Sequence, residues 1–164
     1  KPEFSKLEES ILQYWKENKT FEKSVESRPA ENPYRFYDGP PFITGTPHYG
    51  SLLSSIIKDV VPRYQTMLGK RVERVWGWDC HGLPIEQKIQ KKLGLESNKE
   101  IEESAGGIQG FIDECYAYTR DTSAEWSWYI DHIGRWVDMD NAYRTMDQNY
   151  MESVMWVFKQ IWEK

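Results

Sequence analysis

Two short stretches of this chain carry residues whose types and spacing suit chemistry on charged substrates. The first runs from Gly39-Pro40-Pro41 to Pro47-His48-Tyr49-Gly50 and feeds directly into an apolar pattern of helical period. The first N–H groups of a helix have no partner inside it, and together with the helix dipole they attract phosphate. A His at that entrance, His48, can donate to a phosphate oxygen, and Gly50 removes a side chain where a flat ring would press against backbone. The pattern alone leaves a structural role open, since Gly before a helix is common and a lone His is more often structural than functional. The second stretch is Gly77-Trp78-Asp79-Cys80-His81-Gly82. There Asp79 could pair with a substrate ammonium in a partly desolvated pocket, and a helix or turn cap accounts for it equally well. Cys80 beside His81 suggests a metal ligand pair, but without two further ligands at suitable spacing no metal is expected.

Both stretches need elements to hold them. Tyr34-Arg35-Phe36-Tyr37, bounded by Asp38-Gly39-Pro40-Pro41, reads as a short buried strand, and Phe42-Ile43-Thr44-Gly45-Thr46-Pro47 is too rich in Pro and Gly to continue it. From Gly50 to Leu68 apolar residues recur at steps of three and four, predicting a helix that Gly69 can end and Pro62 can kink. Arg71 to Trp76 alternates as a second strand, with Gly77 to Gly82 as the loop at its carboxyl end. Strand, helix and strand in this order imply a parallel βαβ crossover, in which ligands sit at the carboxyl ends of the strands. Around this core (34–94) the sequence predicts an amphipathic docking helix over 6–18 with a Ser5/Glu8 capping box, and a short helix from Ile85 to Leu93. A helical segment over 109–164 follows, with one long helix from about Gln109 to Ile133 and a last one capped by Asp147. The fold class is therefore α/β, the first βαβ half of a Rossmann-like nucleotide-binding fold with added helices and an incomplete parallel sheet.

The bulk numbers narrow the function classes. With 164 residues, one domain is the expectation, and 39% apolar residues with 15% aromatic, including eight Trp, exclude a disordered segment. A formal net charge of −5 lacks the basic field that dominates nucleic-acid affinity, so this segment is not the main grip on any RNA. Two distant cysteines and no long apolar run point to a reducing cytoplasm and no membrane. A start at Lys1 and a last helix without a stop signal suggest an excerpt of a longer protein.

The residues also resemble a family. Tyr37-Asp38-Gly39-Pro40-Pro41-Phe42 followed by Pro47-His48-Tyr49-Gly50 is similar to the first signature of class I aminoacyl-tRNA synthetases, and Gly77-Trp78-Asp79-Cys80-His81-Gly82-Leu83-Pro84-Ile85-Glu86 resembles the isoleucyl branch more than the leucyl or valyl ones. Ile133-Gly134-Arg135-Trp136-Val137-Asp138 and Tyr143-Arg144-Thr145-Met146-Asp147 extend the resemblance along the chain. The resemblance implies ATP-dependent activation of isoleucine and transfer to tRNA(Ile), with Mg2+ accompanying ATP. It implies His48 as catalytic and ATP-binding, Gly50 and Ser51 as ATP-binding, and Gly39, Pro40, Pro41 and Asp79 as amino-acid-binding. Ser51 stands where the family's signature has its second His; a hydroxyl keeps one hydrogen bond but cannot carry an imidazolium charge, so no strong catalytic role is expected of it.

No Lys-Met-Ser-Lys-Ser-like second signature occurs in the chain, and the editing insertion and anticodon-binding helices of the family are absent. Activity is then expected to require the remainder of the synthetase, in cis or in trans, through which tRNA would mostly be held. The alternatives are a free-standing ATP and amino-acid binding relic without turnover and a purely structural interaction piece. Helices such as 147–164, lacking the rest of the sheet, are expected to leave apolar surface exposed.

Overall fold

The computed structural model describes residues 3–43, 45–104 and 106–164, and their side chains apart from those of residues 121–124. In chain order the elements are α1 (Phe4–Asn18), α2 (Thr20–Glu26), α3 (Tyr49–Met67), β1 (Val75–Trp78), α4 (Leu83–Leu93), α5 (Asn98–Glu103), α6 (Gly107–His132), β2 (Asp138–Arg144) and α7 (Gln148–Trp162). The two strands pair directly, and they run in the same direction: Asp138 N–H donates to Arg74 O at 2.7 Å and Thr145 N–H to Trp78 O at 3.0 Å. The chain is α/β, with helices forming every connection between its paired segments.

Several expected elements form close to where periodicity put them. The helix expected over 50–68 is α3, with Pro62 buried inside it and Gly69 in the left-handed region at φ 83° just beyond. The helices expected at 85–93, 109–133 and after Asp147 are α4, α6 and α7. Three readings need correction. The Ser5/Glu8 capping box does not form, because α1 begins one residue before Ser5 and its N-cap, Glu3, makes no side-chain cap. Tyr34 to Tyr37 is not a strand: pairing there reduces to isolated parallel bridges, Pro33 with Arg71 and Phe42 with Asp79. Pro33, Pro40 and Pro41 have no N–H to give a ladder, which leaves Tyr34 N–H on Arg71 O and Ile43 N–H on Asp79 O. Thr44, part of the run expected to break the sheet, lies outside the described residues.

The third correction concerns register. Regular pairing begins at Val75 rather than Arg71, and Gly77 and Trp78, expected in a loop, are the last two residues of β1. Gly77 explains the shift. A Cβ there would run into the ring of Tyr143 on β2, so the missing side chain permits an approach that a strand interior rarely needs. Strand β2 itself was not foreseen, since Asp138-Met139-Asp140-Asn141 is poor in strand-forming residues and only its backbone partners make it one.

Contacts sort the chain into two compact units. Unit 1 comprises Lys1–Gly39, Pro47–Trp76 and Trp126–Ala142; unit 2 comprises Pro40–Thr46, Gly77–Glu125 and Tyr143–Lys164. In unit 1 the buried residues include Val72, Arg74, Trp76, Trp126 and Ile130, with Trp76 and Trp126 tilted against each other at 6.0 Å. Trp15 meets Trp136 edge to face at 5.3 Å, and the Arg63 guanidinium lies 4.1 Å over the Trp136 ring. Helix α1, which buries none of its residues, meets the rest of its unit through Trp15 and through Glu9, 3.5 Å from His132 Nε2. In unit 2 the core is Ile43, Trp78, Cys80, Ile85, Ile89 and Phe111.

Burial is uneven. Helix α7 buries none of its residues, and Phe158 and Trp162 stand 58% and 80% exposed. On α3, Leu53, Ile57, Val60 and Met67 are exposed as well. No helix among the described residues is long and apolar enough to cross a membrane.

Candidate active site

The residues singled out from the sequence fall into two groups, one in each unit. In unit 1, His48 is the N-cap of α3, in extended backbone at φ −128° and ψ 177°. Its Nδ1 accepts the Gly50 N–H at 3.0 Å, and the Ser51 hydroxyl accepts the His48 N–H at 3.3 Å, so the two side chains close a reciprocal capping box. Because Nδ1 is an acceptor, the proton of the neutral ring sits on Nε2. The cap therefore selects the tautomer whose remaining donor is the one farther from the backbone. Gly50 is needed for this arrangement: a Cβ there would stand 2.9 Å from His48 Cε1 and 3.1 Å from Nδ1. The flat ring that Gly50 admits is thus, in this structure, that of His48 itself. Ser51, which departs from the signature His, does its observed work on the backbone of His48.

Gly39 belongs to the same unit. Its carbonyl accepts from Lys58 Nζ of α3 at 2.6 Å, while the neighbouring Asp38 carboxylate, fully buried, is paired with Lys58 Nζ at 2.7 Å and with the Arg135 guanidinium. Arg135 lies 4.9 Å over the Trp76 ring. Sequence reasoning named Asp38 and Arg135 only as members of quoted motifs and did not single out Lys58. An acid directly before Gly-Pro-Pro was the one signal available, and nothing local identifies its partners.

In unit 2, Asp79 directly follows Trp78. Its N–H donates to Pro41 O and its O accepts from Ile43 N–H, each at 3.0 Å, so Pro41 and Asp79 are neighbours through backbone. Pro40 is half-buried beside them in sequence. Asp79 is half-buried as a residue, and its carboxylate makes no hydrogen bond or ion pair with the described residues. It caps no helix either, since α4 takes Gly82 as N-cap with no side-chain bond. The capping reading left open for Asp79 is therefore not what the structure adopts, whereas for His48 the structural role is real and compatible with a free Nε2 donor.

Cys80 and His81 diverge: Cys80 is buried, with its N–H bonded to Thr145 Oγ1 at 2.8 Å, and His81 is exposed. Burial pushes the Cys80 thiol above its ordinary pKa, which keeps it neutral and a poor metal ligand or nucleophile. Among the described residues no three His, Cys, Asp or Glu side chains gather as a metal site.

A chain of parallel-paired strands joined by helices has the architecture of an open α/β sheet, in which ligands sit at the carboxyl ends of the strands. Comparison with known proteins makes this specific. The family model "tRNA synthetases class I (I, L, M and V)" matches residues 10–164, and the chain belongs to that family. Isoleucine–tRNA ligase 2 of Pseudomonas fluorescens is 51% identical over 161 residues, which is 98% of this chain and 15% of that protein. Isoleucine–tRNA ligase of Wolbachia pipientis wMel is 53% identical over 163 residues, 99% of this chain and 14% of that protein. The chain thus spans about 15% of the length of the curated relatives it matches. Among solved structures, the LeuRS of Agrobacterium radiobacter K84, crystallised as a ternary complex with tRNA and LeuAMS, superposes with a TM-score of 0.66 at 18% identity. That likeness covers 95% of this chain and 17% of the other, and it shows the fold.

Proposed function

We propose that this chain supplies one half of the amino-acid-activating site of an isoleucine–tRNA ligase. In the first reaction an isoleucine carboxylate oxygen attacks the α-phosphorus of ATP. The bond to the bridging oxygen breaks, and pyrophosphate leaves with isoleucyl-adenylate as product. In the second, a hydroxyl at the 3′ end of tRNA(Ile) attacks the isoleucyl carbonyl, its proton is lost and AMP departs. In this reading Asp79 holds the isoleucine ammonium, which turns the carboxylate toward ATP, and the backbone of Gly39, Pro40 and Pro41 lines the amino-acid side. The N-terminus of α3 with His48 and Gly50 receives the phosphates, Nε2 of His48 donating to phosphate oxygen where charge builds up in the transition state. Ser51 acts through the shape of the His48 loop. ATP would enter as its Mg2+ complex, the ion supplying positive charge to the phosphates.

The observation that carries this reading is Asp79: half-buried as a residue, backbone-fixed on both sides, with a carboxylate committed to no partner among the described residues. A carboxylate at a strand end that no protein group engages is available to a cation, and an amino-acid ammonium is such a cation. The identity of about half to isoleucine–tRNA ligases supports isoleucine over valine or leucine.

Exchange of labelled pyrophosphate into ATP tests it, with isoleucine, valine and leucine compared on this chain and on Asp79→Ala. Isoleucine-dependent exchange that Asp79→Ala abolishes is expected; exchange that persists undiminished in Asp79→Ala removes the assignment. A folded wild-type chain with no exchange would leave a binding role that needs the remaining ligase, in cis or in trans, for turnover.

A further inference from the structure

We propose that Asp38, Lys58 and Arg135 form a positioning cluster that holds the Gly39–Pro40 peptide at a set distance from α3, and so sets where the amino acid is held. The inference rests on the reading of Gly39, Pro40 and Pro41 as the amino-acid loop.

The argument begins with a buried charge. The Asp38 side chain is fully buried, and an isolated carboxylate there would be prohibitive. Arg135 already answers that cost. Its own side chain is buried, it contacts Asp38 Oδ2, and the Trp76 ring beneath it keeps it in place. A pair of this kind would satisfy packing by itself.

Lys58 is the surplus. Its side chain keeps 24% of its surface in solvent, so it could swing outward and hydrate at little cost. Instead Nζ sits 2.7 Å from Asp38 Oδ1 and donates to Gly39 O at 2.6 Å. The cluster thus carries two cations for one carboxylate, and the second cation is spent on a backbone carbonyl. Gly39 has no left-handed φ and no steric need to be where it is, for a Cβ there would meet nothing nearer than Lys58 Nζ at 4.0 Å. What fixes the peptide is the ammonium.

Lys58 also lies on the helix that His48 opens. At a rise of about 1.5 Å per residue, ten residues separate His48 from Lys58 by about 15 Å along one rigid element. A single side chain therefore ties the start of the amino-acid loop to the helix whose first turn faces phosphate. Small errors in such spacing are costly for a reaction that depends on alignment. Lys58 touches no reacting atom in this account; it acts through the peptide it holds.

The test uses Lys58→Met, which keeps length and loses the charge, with Lys58→Arg as the conservative variant. Arg135 still neutralises Asp38 in both, so circular dichroism and the melting midpoint are expected to report a folded chain. Exchange of the Tyr34 and Ile43 amides, which flank the loop and are bonded to Arg71 O and Asp79 O, should accelerate by about tenfold in Lys58→Met as the loop loosens. In pyrophosphate exchange KM for isoleucine should rise by about tenfold while KM for ATP changes less than about twofold, and Lys58→Arg should recover most of both losses. A folded Lys58→Met with unchanged amide exchange in the loop overturns the proposal. Accelerated exchange with KM for both substrates equally affected overturns it too. Should Lys58→Met not fold, Lys58→Gln, which keeps a neutral donor, is read by the same criteria. If the wild-type chain shows no isoleucine-dependent exchange, the site is left with a binding role, and the loop amides still decide whether Lys58 is the clamp.

Discussion

His48 accepts the Gly50 N–H and donates its own N–H to the Ser51 hydroxyl, and Gly50 makes room for the His48 ring, so the loop that opens α3 is shaped almost entirely by its own neighbours in sequence. Asp79 is placed differently. Its backbone is gripped by Pro41 and Ile43, and the residue after it is held by Thr145 across 65 positions of chain. The first loop can be understood as a helix cap that also presents a donor. The second has no local reason for its conformation; it is the product of strands brought together from remote parts of the chain. Damage to one should stay local, and damage to the other should spread into the core.

The largest effect is expected at Gly77→Ala. The added Cβ collides with the Tyr143 ring, and overpacking of this kind costs about 2–3 kcal/mol. Urea unfolding measures it, and a loss well under about 1 kcal/mol would mean that Tyr143 moves aside and that β1 and β2 are less tightly paired than described. Next comes Thr145→Val, which preserves shape but strips the buried Cys80 N–H of its acceptor. A loss of about 2 kcal/mol is expected in the same experiment, with faster exchange of the Cys80 amide.

On the other side of the comparison, Gly50→Ala should push the His48 ring off the helix end and cost about 1 kcal/mol. Its signature is non-additivity. Once His48→Ala has removed the cap, adding Gly50→Ala should cost almost nothing more, and two independent losses would show that the loop is not self-contained.

The smallest effect is a slope with pH. Burial raises the Cys80 pKa, so the folded thiol stays neutral at pH values where the unfolded one ionises. The stability linked to it is present in full below the unfolded thiol's pKa of about 8.5 and declines as pH rises above that value toward the folded one. Half-buried Cys115 is shifted the same way, first by desolvation and then by Glu86 and Glu114, and adds to the slope. Urea midpoints at pH 8 and pH 9.5 should fall less in Cys80→Ala than in the wild-type chain.

The comparison also explains what could be read in advance. His48 at a helix entrance, Gly50 behind it and the helix that follows are written in adjacent residues, and α4, α6 and α7 announce themselves by spacing in the same way. Asp79 was found as an acid after Trp78, but the loop it begins was drawn two residues early. Nothing near Gly77 says that Tyr143, 66 positions later, needs the space a side chain would fill. The short helices α2 and α5 were missed for a plainer reason: seven and six residues are too few to display a period.

By itself, then, the sequence determined the longer helices, the α/β class, the family and the two candidate stretches, because turns, caps and periodic apolar faces act between residues a few positions apart. Only the tertiary structure decided that Asp138–Arg144 is a strand, that Gly77 and Trp78 belong to β1, and that Asp38 is held by Lys58 and by Arg135, 97 residues away. Pairing of backbones and of buried charges has no local period, and it becomes visible only when the chain has closed on itself.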